Sequence, residues 1–175
     1  MGIVAPAMQI VLAKFSRTGK HVWSQCIEGE LTPAGFAVDP SGNVALAAMS
    51  WKTYPQGFFL RKLDGAGATI WSKTFLPYSG SLIARSVAVD GGGDIVVGAD
   101  TTDVIDFGGG PVGSTSPALI VVRFNSAGAH TWTRSFGECT GCARMWDARV
   151  AFAPTGNIVA VGRAFPGVID FGTGG

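Results

Sequence analysis

The side chains able to do chemistry in this 175-residue chain are few, and their spacing limits what they could do. Cys139 and Cys142 form a C-x-x-C within FGECTGCARMW. A structural zinc site needs four ligands, and no second C-x-x-C exists, since Cys26 is the one further cysteine. A thioredoxin-like dithiol should open a helix beside a parallel sheet, a context that the flanking residues do not offer. What remains is a local loop disulfide in an oxidising compartment or two reduced thiols. Asp100, Asp103 and Asp106, in ADTTDVIDFGGG, are the densest carboxylates. As hard oxygen donors in a glycine-rich loop they are the candidate calcium ligands. Their spacing is not that of an EF-hand, and Asp also caps turns by bonding its own loop backbone. The reappearance of Asp106 as Asp170 in a second VIDFG segment favours the structural role.

No catalytic signature accompanies these groups. The chain has no G-x-S-x-G, H-E-x-x-H, phosphate-binding loop or dinucleotide fingerprint. Charge selects no polyanionic partner: 13 basic against 12 acidic residues leave +1, so no field gathers nucleic acid or an anionic membrane. No apolar run approaches the ~20 residues that span a bilayer. The apolar opening, MGIVAPAMQIVLA, lacks a basic flank and a cleavage site, so it reads as part of the fold. The 26 glycines and 9 prolines disfavour helices, while 47% hydrophobic and 14% charged residues disfavour disorder.

The elements that must position these groups are repeated. KFSRTGKHVWSQCI from Lys14, KLDGAGATIWSKTF from Lys62 and RFNSAGAHTWTRSF from Arg123 share a basic residue, an apolar one, then Gly and Trp. The register is Gly19 with Trp23, Gly67 with Trp71, and Gly128 with Trp132. A second unit follows each: AVDPSGNVALAA from Ala37, AVDGGGDIVVGA from Ala88 and AFAPTGNIVAVG from Ala151. A third occurs twice, VIDFGGG from Val104 and VIDFGTGG from Val168. Trp23, Trp71 and Trp132 lie 48 and 61 residues apart, close to the size of one propeller blade, with the extra length of the second interval mainly around VIDFGGG. Within a copy the apolar period is two, and AGA, SAG, PSGN and GGGD supply tight reversals. Each copy therefore predicts four strands in two hairpins. Ala37, Ala47, Ala88 and Gly98 suit strands crowded near an axis. His21 and His130 share a register position with Thr69 and read as exposed strand residues rather than metal ligands. Cys26, equivalent to Thr74 and Ser135, reads as a small buried residue. Arg144, Trp146, Asp147 and Arg149 read as a loop between copies that could face a partner.

A four-stranded antiparallel sheet repeated along a chain must bury its faces against its neighbours, and radial stacking achieves this. The sequence thus predicts an all-β fold: β-propeller blades of four-stranded antiparallel sheets, about three blades' worth. Trp23, Trp71 and Trp132 would be the wedges between blades. The motifs K-[LF]-[DNS]-x-x-G-x-x-x-W-[ST], A-V-D-x-x-G-N-[VI] and V-[ID]-F-G-G-G resemble the bacterial SBBP-type β-propeller repeat, from about Met8 to Gly175. That resemblance implies a non-enzymatic protein that is extracellular or on the cell surface. The G-x-x-x-W pairing is also similar to the tryptophan-docking repeats of pyrroloquinoline-quinone dehydrogenases. Their calcium and axial base have no identifiable counterpart in this chain. Two departures stand out: WKTYPQG replaces VIDFGGG in the first copy, and AFAPTGN replaces AVDPSGN in the last.

One array over residues 1–175 is expected, with blade units of approximately 8–57, 58–117 and 118–175. Closed propellers use at least about four blades. The chain is therefore expected to be a fragment of a larger propeller, with self-association to close a ring as the other route. The expected function is a non-catalytic interaction or surface module that presents loops to a protein or glycan, without a cofactor beyond calcium. The alternative is a quinoprotein-like or other propeller enzyme with an axial cofactor or metal site. Carboxylates converging on the axis would favour it.

Overall fold

The computed structural model describes residues 9–29, 31–50, 54–113, 116–137, 144–169 and 171. Every regular element among them is a β-strand. Three hairpins carry the repeated tryptophans Trp23, Trp71 and Trp132. They are β1 (Ile10–Phe15) with β2 (His21–Ile27), β5 (Phe58–Leu63) with β6 (Thr69–Phe75), and β11 (Ala118–Phe124) with β12 (His130–Phe136). Three more are β3 (Leu31–Val38) with β4 (Val44–Ser50), β7 (Leu82–Val89) with β8 (Ile95–Thr101), and β13 (Met145–Phe152) with β14 (Ile158–Ala164). The two-residue strands β9 (Ile105–Asp106) and β10 (Pro111–Val112) pair within the first VIDFGGG connection.

All six long hairpins close in the same way. A glycine at positive φ donates its N–H to the carbonyl three residues back, as Gly67 does to Asp64 and Gly128 to Asn125. The first turn residue then uses its side chain to hold the loop. Asp64 Oδ1 accepts the N–H groups of Ala66 and Ala68, both at 2.9 Å, and Asp90 Oδ1 accepts those of Gly92 and Asp94, both at 2.9 Å. This is the local bonding for which turns select Asp and Asn. At Ala153, the departure noted in the last copy, the backbone bond from Gly156 survives at 2.9 Å without a side-chain acceptor.

The hairpins join into antiparallel sheets whose phase differs from the blade units drawn on the sequence. One four-stranded sheet has the order β3-β4-β5-β6 and a second the order β12-β11-β8-β7. Each unites the second hairpin of one copy with the Trp hairpin of the next. The boundary expected near residue 57 therefore falls inside a sheet, because β5 returns alongside β4 and pairs with it from Met49–Phe58 to Val44–Leu63. Hairpins β1-β2 and β13-β14 stand at the two ends as two-stranded sheets.

Because both faces of the central sheets are covered, their middle strands are mostly apolar on both faces rather than alternating, with Lys62, Asp100 and Arg123 among the charged exceptions. Along β4, Val44, Leu46 and Ala48 pack toward β1-β2, while Ala45, Ala47 and Met49 pack toward the second sheet. Strand β8 is buried over its whole length. Between the two four-stranded sheets, Phe75 stacks on Phe124 at 5.2 Å and meets Phe107 of the VIDFGGG connection at 5.2 Å. A small residue also permits close approach between β8 and β13 at Gly98. A Cβ on Gly98 would stand 2.8 Å from the Ala148 carbonyl oxygen.

Candidate functional site

The repeated basic residue and tryptophan act together. Lys14 and Trp23 are cross-strand partners, as are Lys62 and Trp71. Both members of a pair donate to one carbonyl on the following Trp hairpin. Lys14 Nζ and Trp23 Nε1 reach Gly65 O at 2.8 and 3.1 Å. Lys62 Nζ and Trp71 Nε1 reach Ser126 O at 3.3 and 3.1 Å. The indole then lies over the turn glycine: a Cβ on Gly67 would be 3.4 Å from Trp23, and one on Gly128 would be 3.0 Å from Trp71. The Gly–Trp spacing in the sequence is thus one half of a contact whose other half lies one copy further along. Trp23, Trp71 and Trp132 are each half-buried.

Lys62 is a buried cation that gathers turns. Besides Ser126 it donates to Gly93 O at 2.9 Å, and its charge acts on Asp39. Burial alone would raise the Asp39 carboxyl, but the side-chain and backbone N–H donors of Asn43, the Ser41 backbone and Lys62 outweigh it, so its pKa falls below the ordinary value. In the third copy Arg123 replaces this lysine and turns to its own sheet, reaching Asp94 Oδ2 at 3.0 Å and Asp90 Oδ2 at 3.4 Å.

The three carboxylates singled out in the sequence are each bound to separate partners. Asp100, 1% exposed, accepts from Arg85 Nε at 2.6 Å and from the N–H groups of Asp147 and Ala148 at 3.1 and 3.2 Å. Asp103 Oδ2 accepts the N–H of Gly80 at 2.7 Å, the Ser79 hydroxyl at 2.9 Å and the Ser79 N–H. Led by the Gly80 N–H and aided by Val104 and Ser79, these donors lower its pKa to about 2. Asp106 Oδ1 caps its own turn through Gly108 and Gly110 at 2.6 and 3.0 Å. Among the described residues no three His, Cys, Asp or Glu side chains form a group suited to a metal ion. Cys139, Cys142 and Asp170 lie outside the described residues.

The remaining candidates fall into place on strands. His21 is exposed and bonds Ser24, and His130 is half-buried and bonds Thr133 at 2.9 Å. Cys26 is half-buried with a free thiol, less enclosed than its small size suggested. Trp146, Asp147 and Arg149 belong to β13 rather than to a loop, because that segment pairs with β14. The register of β13 slips between Trp146 and Arg149, matching slips between Pro33 and Gly35 in β3 and Ala84 and Ser86 in β7. These bulges bring backbones of neighbouring sheets together. Ser86 Oγ donates to Ala148 O at 3.1 Å and accepts the Val150 N–H at 2.9 Å, and Arg149 donates to Arg85 O. Neither these bulges nor the turn-gathering role of Lys62 was visible in the strand pattern. The repeated Lys or Arg was the only signal for the latter.

Between the β7-β8 and β13-β14 turns lies a groove of 470 Å³, lined by Asp90, Gly91, Gly92, Phe152, Pro154 and Thr155 among others. An aromatic ring, a carboxylate and a hydroxyl at the hairpin ends make it a ligand-sized recess on the turn-bearing rim. No protein-family model matches the chain, and no curated protein matches its sequence.

Proposed function

We propose that this chain is a non-catalytic binding module whose four-stranded sheets are β-propeller blades, working outside the cell and presenting its hairpin rim to a glycan. The groove beside Phe152 carries the reading. Its ring offers an apolar face to sugar C–H groups, while Asp90 and Thr155 border it with oxygens that can pair with hydroxyls. The β7-β8 turn holds its shape through Asp90 bonds to Gly92 and Asp94, and the β13-β14 turn through backbone bonds between Ala153 and Gly156 and Asn157, which limits the ordering that would oppose binding. The extracellular setting and the blade assignment rest on the SBBP resemblance, and the docked indoles support a stacked, repeating frame. A glycan microarray probed with the purified chain tests the idea, with Phe152→Ala as control. Selective binding that weakens at least about tenfold in that variant, a loss of about 1.4 kcal/mol, supports it. A chain that binds no glycan, or binds equally without the ring, does not act through this groove.

A further inference from the structure

The two internal junctions between hairpins are built alike. In β4-β5, Ala45 faces Lys62, and in β8-β11, Val96 faces Arg123. Each junction also has an indole over a turn glycine and an apolar cluster beneath, Ile27 with Leu63 at the first and Phe75 with Phe107 and Phe124 at the second. At the ends of the chain the same positions are present but uncovered. Phe15 is 60% exposed, whereas its equivalents Leu63 and Phe124 are fully buried. Val159 and Val161 on β14 are 60% and 63% exposed, whereas Ala45, Val96 and Ala47 at those positions are buried. Nothing lies within 4 Å of a Cβ placed on Gly19, although Gly67 and Gly128 each carry an indole. Conversely, Trp132 makes no hydrogen bond to a turn carbonyl among the described residues and borders an open recess of 370 Å³. Phe171 repeats on Phe136 the contact of Phe107 on Phe75, at 5.6 against 5.2 Å. Phe107, however, is also covered by Phe124 at 6.4 Å, and Phe171 is exposed.

We propose that a second copy of this chain fills both ends, β14 of one copy pairing antiparallel with β1 of the other. Carrying the internal register forward places Val159 opposite Lys14 and Val161 opposite Leu12 of the second copy. Trp132 then covers Gly19 and donates to the Arg17 carbonyl, and Phe15 closes over Phe171 and Phe136. Each copy thereby supplies half of two four-stranded sheets that neither completes alone. With the two internal sheets of each copy, six sheets stack head to tail, and a head-to-tail contact made at both ends closes the assembly. A strand of unrelated sequence could satisfy the β14 edge. It would leave Trp132 and Phe171 uncovered unless it also brought a Gly turn and an aromatic in the relation of Gly19 to Phe15.

Light scattering coupled to size exclusion tests this on the whole chain. The expected result is a dimer for the native sequence and half that mass for Val159→Asp, Val161→Asp. Those residues are exposed in the single chain, so its circular dichroism should not change. Phe15→Asp, at the opposite end, should give a folded monomer as well, and it serves if the first variant fails to fold. Mixing the two variants should restore dimers, since one keeps a sound β1 and the other a sound β14. A native chain that stays monomeric at all concentrations overturns the proposal. So does a dimer that survives both sets of substitutions, or a mixture of folded variants that remains monomeric.

Discussion

Asp103 shows how a carboxylate in a glycine-rich loop can tie two turns together through hydrogen bonds alone. Its Oδ2 gathers the N–H groups of Ser79 and Gly80 and the Ser79 hydroxyl, joining the turn before β7 to the end of β8. These donors favour the charged form, so its pKa of about 2 lies below the value near 3.9 of an unfolded chain. Protons therefore bind the unfolded state more readily. The stability that Asp103 contributes is complete above roughly pH 4 and is lost as pH falls through about 2. Asp103→Asn should be destabilised near neutrality and should lose less further stability than the native chain between about pH 5 and 2. Urea melts of both at several pH values read this out, and parallel curves would remove Asp103 as the source of acid sensitivity. Turn capping by Asp106 was legible from sequence because both partners are within four residues. The burial of Asp100 against Arg85 was not, because a bulge in β7 and contacts from β13 create it.

Among the hairpins, the glycines before Trp71 and Trp132 have two separate reasons to be glycine. Positive φ is one, and it holds equally at Gly156 and Gly128, with φ of 83° and 82°. Close approach is the other, and it distinguishes them. A Cβ on Gly156 would meet nothing within 4 Å, but one on Gly128 would stand 3.0 Å from Trp71. Alanine at Gly156 should therefore cost only the backbone strain, roughly 1–2 kcal/mol. Alanine at Gly128 should cost that and about 1 kcal/mol or more beyond it, because the indole must shift from its bond to Ser126. Equal losses in chemical denaturation would show that Trp71 does not dock on this turn. Trp71→Ala itself should cost about 2–3 kcal/mol. That is less than the 3–5 of a fully buried aromatic, since the ring is half exposed. Strand period and turn chemistry are local, so six hairpins and the Gly–Trp register could be read from sequence. Which hairpins share a sheet could not. That choice depends on whether β5 meets the edge of β4 or the face of another sheet, and both strands are apolar enough for either.

Across the molecule, stability should follow the number of covered edges and faces rather than position along the chain. Strands β4 and β8 have a paired neighbour on each edge and packed residues on both faces, so their amides open only with global unfolding. Strand β14 is exposed from Val159 onward and pairs only with β13 among the described residues, and β1 pairs only with β2. Their hydrogen bonds can open without disturbing the phenylalanine cluster of Phe58, Phe75, Phe107 and Phe124. Amide exchange followed by mass spectrometry should therefore be slowest in peptides covering β4, β8 and β11. In dilute solution it should be fastest, among the strands, in those covering β14 and β1. Raising the concentration should slow exchange in β14 and β1 together, because one head-to-tail contact would cover both, while β8 stays unchanged. Protection of β14 equal to that of β8 at high dilution would mean that its outer edge is already filled within the single chain. The equivalence of the three copies would then extend to their energetics as well as to their sequences.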